Sequence, residues 1–97
     1  MQPLSEDEAR LARVELLDTE VRIRTFGPAT DAANRAARHA GEAVPGAAVR
    51  TGTQPWNAAD WREAVVQCAS DELASVAGRA CASLLRDGYE VTAGAMH

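Results

Sequence analysis

A chain of 97 residues holds one domain, residues 1–97, and at this length folding covers only about 60–65% of the surface that the unfolded chain exposes, so its stability margin is thin. The formal net charge of −4 argues against a general affinity for nucleic acid, which needs a basic face, and the use of ten arginines with no lysine reads as the codon bias of a GC-rich, bacterial genome. No run is long and apolar enough to span a bilayer, and the acidic start Glu6-Asp7-Glu8 is the reverse of a signal peptide, so the cytoplasm is the expected location.

Ser5-Glu6-Asp7-Glu8 has the form of a capping box, which predicts a short helix from Ser5 to about Leu16. From Glu20 the pattern changes. In Val21-Arg22-Ile23-Arg24-Thr25-Phe26 β-branched residues alternate with arginines, which predicts a strand with Val21, Ile23 and Thr25 inward and Arg22 and Arg24 outward. Gly27-Pro28 ends it. Thr30 or Asp31 then caps a helix to about Ala43, on which Ala32, Ala33, Ala36, Ala37, Ala40 and Ala43 share one face with Arg35, Arg38 and Glu42 opposite. Past Val44-Pro45-Gly46, the segment Ala47–Thr53 reads as a second strand, and strand, helix and strand within about thirty residues form the βαβ pattern.

The stretch from Asn57 to Asp87 carries a helix start at Asn57, an apolar period and a stop at Gly88. Ala58, Trp61, Val65, Cys68 and Ala69 make one stripe. Leu73, Val76, Ala77, Ala80 and Leu84 make another, rotated by roughly 80°, and Ser70-Asp71-Glu72 between them looks like a fresh N-cap, so a kink near Ser70 is expected. Tyr89–Ala93 has strand character, ahead of a frayed tail at residues 94–97. The expected fold is a small α+β domain in which a βαβ unit is covered by a long or kinked C-terminal helix; the alternative is an all-α three-helix bundle in which Ser5–Phe26 is one helix. No internal repeat is visible.

Few motifs carry chemistry. Cys68 and Cys81 make no disulfide framework and are expected to be reduced and core-side, without an activating charge. His39 and His97 have no chelating spacing with either cysteine, so neither a metal nor a cofactor is expected. Arg22, Arg24 and Arg50 stand as a candidate anion-binding cluster on one sheet face, although a solvated face paired with Glu20 is the plainer reading. Trp56, approached through Pro55, is the candidate interface anchor, with Trp61 assigned to the core beside it.

The sequence holds 21 alanines but one Phe, one Tyr, one Ile, two Trp and seven Leu. So lean a supply of large apolar residues predicts either a close-packed small-residue core or one completed by another chain. The leading expectation is therefore a non-enzymatic protein–protein interaction or assembly module, acting as an oligomer or as a subunit of a larger complex. A regulatory domain binding an anionic small molecule is the alternative. A small enzyme with a site between subunits, built on His39, Arg35 and Trp56, ranks third.

Overall fold

Period-two burial makes the first two elements strands. In β1 (Leu11–Leu17) Ala12 and Val14 are buried, and in β2 (Glu20–Phe26) Val21, Ile23 and Thr25 are buried, while the residues between them stay on the other face. The two strands pair antiparallel from Leu11↔Phe26 to Leu17↔Glu20, closed by the two-residue turn Asp18-Thr19. The structure is a computed structural model that describes residues 10–26, 31–56 and 61–95, with the backbone alone at 51–56 and 61.

After the first hairpin come α1 (Ala32–Glu42), β3 (Ala48–Trp56), β4 (Trp61–Gln67), a 3-10 turn at Ser70–Glu72, α2 (Leu73–Arg86) and β5 (Glu90–Ala95). The sheet order is β3-β4-β2-β1-β5, with β1 and β5 parallel and every other neighbouring pair antiparallel. The result is an α+β architecture of one mixed five-stranded sheet and two helices among the described residues. The β2–α1–β3 unit is present with its strands parallel, and β4 is inserted between them. A hairpin followed by a helix occurs twice, and each helix lies across the other hairpin: α1 packs over β3 and β4, and α2 over β1 and β2 and also over β5. Helix α1 reaches β2 as well, and the two helices pack against each other.

The helix layer and the inner sheet face make the core. Ala32, Ala33, Ala36, Ala37 and Ala40 of α1 are fully covered, as are Val76, Ala80 and Leu84 of α2. Nine of the seventeen buried apolar residues described are alanine, so the helices can approach the sheet closely. At Gly41 the approach leaves no room for a side chain, because a Cβ there would collide with Cγ2 of Val49 on β3. The end of α2 is a Schellman turn. The N–H of Gly88 (φ 86°) donates to Leu85 O and that of Tyr89 to Leu84 O, and the buried Tyr89 and Leu84 supply its apolar contact.

Several expectations need correction. Residues 11–16 are strand, not the end of a helix, because Ala12 and Val14 alternate inward and pair with β2; the proposed cap at Ser5 lies outside the described residues. The helix expected from Asn57 begins only at Ser70. Val65, Trp61 and Cys68 do fall at helical spacing, but the chain there forms β4, paired on both sides, with Ala64 and Val66 inward. The break near Ser70 is thus the true start of the helix. Asn57 itself is outside the described residues. Gly94 and Ala95 complete β5 and are not part of a tail. An all-α bundle is excluded by the five strands.

Candidate functional surfaces

Because both helices cover the same side, the other sheet face is built from the outward residues alone, and the strand register sorts them into rows. Arg13, Arg24 and Glu63 make one row; Glu15, Arg22, Val65 and Arg50 make the next. Arg13 faces Arg24 and Val65 separates Arg22 from Arg50, so the ion pairs run between rows as well as along them. Arg24 Nε donates to Glu63 Oε2 at 2.8 Å and its Nη1 lies 3.5 Å from Glu15 Oε1. Arg22 Nη2 donates to Glu20 Oε2 at 3.2 Å and its Nε lies 3.6 Å from Glu63. Arg50 stands 3.9 Å from Glu20 with its side chain largely in solvent.

The candidate anion cluster is therefore assembled, since Arg22, Arg24 and Arg50 do share this face. It comes with its own anions. Glu15, Glu20 and Glu63 occupy the guanidinium groups, so an incoming phosphate or carboxylate has to displace a carboxylate already held. The pairs of Arg22 and Arg50, which lie nearer solvent than those of Arg24, contribute little to stability, at most about 1 kcal/mol each. What they do is cover the face with a matched lattice of both signs.

At the end of the same face the character changes. The register sets Trp56 opposite Trp61, Trp61 opposite Phe26 and Phe26 opposite Leu11, one row across β3, β4, β2 and β1. Leu11 is 41% exposed. The two tryptophans are thus cross-strand partners rather than one cap residue and one helix-stripe residue, and Pro55, opposite Arg62, stands in the same irregular stretch of β3. Sequence reasoning singled out all three residues but not their relation to Leu11 and Phe26, because the pairing joins segments far apart in the chain.

A second surface was not foreseen as a unit. Between α1 and α2 runs an open groove of about 370 Å³ that brings Arg35, Arg38 and His39 of α1 beside Arg86 and Asp87 at the end of α2. Arg35 Nη2 donates to Asp87 Oδ2 at 3.0 Å, and this hydrogen bond raises the pKa of the guanidinium; Asp31, one turn before it, lies 3.7 Å from its Nη1. Arg38 is 3.9 Å from the same Asp31. The polar side of the α1 wheel was the available signal, since residues 35, 38, 39 and 42 share it. His39 and Arg35 are brought together here, while Trp56 belongs to the opposite face of the sheet by its register, so the three do not form one site.

Cys68 and Cys81 are free and half-buried. Burial raises both thiol pKa values, and at Cys68 the nearby Glu72 and Asp71 raise it further. Cys68 follows β4, where its N–H donates to Thr19 O at 3.0 Å, and is not on a helix as expected. Among the described residues no group of three or more His, Cys, Asp or Glu is arranged to hold a metal ion, and no helix is long and apolar enough to cross a membrane. Comparison with protein-family models, curated proteins and solved structures finds no match to this chain.

Proposed function

We propose that this chain is a non-enzymatic assembly module, which works by associating with itself or with another protein chain. The observation that carries the reading is where the large apolar residues lie. The buried interior among the described residues is made mainly of alanine and valine, whereas Leu11 and Leu85 are exposed at 41% and 59%. A small domain that keeps such residues off its core gains apolar burial when a second chain arrives.

The anion-binding alternative is less well supported, because the arginines it needs are each matched by a carboxylate within 4 Å. Sedimentation equilibrium of the full chain across the micromolar range tests the assembly reading. An associated species is expected. A compact monomer with a high melting temperature, unchanged by concentration, overturns it.

A further inference from the structure

The two edges of the sheet are built differently. On β3 the pairing with β4 breaks register between Thr51 and Pro55, and Pro55 has no N–H to offer; a bulge and a proline are the ordinary means of blunting an edge. On β5 neither is present. Its register with β1 is unbroken from Glu90 to Ala95, and the run Val91-Thr92-Ala93-Gly94-Ala95 carries no charge and no proline. Among the described residues no strand lies beyond it.

From this asymmetry we infer that the β5 edge is the self-association surface of the protein, where a second copy of the chain adds its own β5 antiparallel across a two-fold axis to make a continuous sheet. The inference rests on the assembly reading above and gives it a surface and a partner. The N–H of Glu90 donates to Arg10 O at 2.9 Å, so Glu90, Thr92 and Gly94 turn their backbone groups toward β1. By alternation, Val91, Ala93 and Ala95 present theirs to the open side. An axis through Ala93 pairs Ala93 with its own copy and Val91 with Ala95 of the other, which uses every outward donor and acceptor in about six backbone hydrogen bonds. Facing residues stay on matching faces of the joined sheet, and no like charges are opposed, since Glu90 falls outside the paired run.

A second observation lies one layer up. Ser83, Arg86 and Asp87 mark the side of α2 that borders α1. The flank turned the other way, toward the β5 edge, consists of Ala74, Gly78, Cys81 and Leu85 on a 3.6-residue wheel. It is free of charge, Leu85 is 59% exposed, and open space surrounds the position a Cβ would take at Gly78. An axis normal to the sheet sets this flank beside its own copy, so apolar surface is covered without stripping water from any charge. A partner peptide of opposite charge has nothing to recognise on this flank; an identical uncharged surface does. Five strand residues and four helix residues a side are still far fewer than the ~20–30 of a standard interface, so the dimer is dissociable.

Amide hydrogen exchange followed by NMR over a concentration series of the full chain, run alongside sedimentation, is the test. Protection of Val91, Ala93 and Ala95 should appear with concentration and vanish on dilution, while Thr92 and Gly94 stay protected throughout by their bonds to β1. Leu85→Arg, on an exposed position that leaves the fold intact, and Ala93→Pro, which removes an outward N–H, should each weaken dimerisation at least tenfold; Trp56→Ala should leave it unchanged. An assembled chain whose edge amides exchange freely, or whose association is lost in Trp56→Ala and kept in Leu85→Arg, overturns the edge pairing and leaves the assembly reading standing. A monomer at every concentration overturns the edge pairing together with the self-association arm of the assembly reading.

Discussion

Thr25 shows how little slack the core has for polar atoms. It sits at an inward position of β2, 2% exposed, and its Oγ1 has no hydrogen-bond partner among the described residues. A buried hydroxyl left unpaired costs about 1–3 kcal/mol, and valine has nearly the same shape. Thr25→Val is therefore expected to raise stability by about 1 kcal/mol, read as a shift of the urea midpoint at constant slope. A loss of stability instead would mean that the hydroxyl has found a partner. At the thiols the expectation concerns pH. Burial raises Cys68 and Cys81 above the ordinary thiol range, so at any pH below the folded values less thiolate exists in the folded chain than in the unfolded one. Timed labelling near pH 8 should be slow until denaturant is added and should quicken as pH rises. Fast labelling of either cysteine in the native chain overturns this account.

Among the elements, α1 is the one most tightly specified by its neighbours. Replacing Gly41 by alanine would gain up to about 1 kcal/mol in an isolated helix. Here the added Cβ meets Val49 Cγ2 of β3, a side chain that is stiff at χ1, and overpacking of this kind costs about 1–3 kcal/mol. Gly41→Ala should lower stability, and Val49→Ala in the same chain should relieve the collision in part, so thermal melts of the single and double variants check the contact. This contact also marks what the sequence discloses. The alanine face of α1 and the alternation in β2 are local patterns, and both elements lie where those patterns put them. In β4 two local patterns compete: Trp61, Val65 and Cys68 recur at helical spacing, while Ala64 and Val66 alternate. Only pairing with β2 and β3, supplied by residues up to 47 positions away, decides for the strand. At β1 the capping-box form of Ser5–Glu8 points to a helix through Leu16, and only the pairing with β2 reveals the strand in which Ala12 and Val14 alternate inward. The candidate surfaces suffered accordingly. Arg22, Arg24 and Arg50 needed only two correct strands to be placed together, whereas the Trp56–Trp61 pairing and the open edge of β5 depend on sheet order, which no stretch of residues contains.

At the scale of the whole molecule, the feature that matters is that each helix roofs the hairpin it does not follow. Neither half then covers all of its own apolar side chains. A fragment of residues 1–46, which holds β1, β2 and α1, is expected to lack cooperative unfolding and native-like chemical-shift dispersion, while mixing it with residues 47–97 should restore both. A fragment 1–46 that folds alone would show that the interlock is dispensable. The same arrangement bears on how the protein is made. Synthesis finishes α1 at Glu42, but the strands it rests on are complete only at Gln67, and β5, which lies under α2, is not complete until Ala95. At ribosomal speeds the alanine face of α1 is thus bare for on the order of seconds. A nascent chain in that interval has alanine, not leucine or phenylalanine, to show to a chaperone or to its neighbours on a polysome, so the small residues that make the finished core lean also keep the unfinished one from sticking.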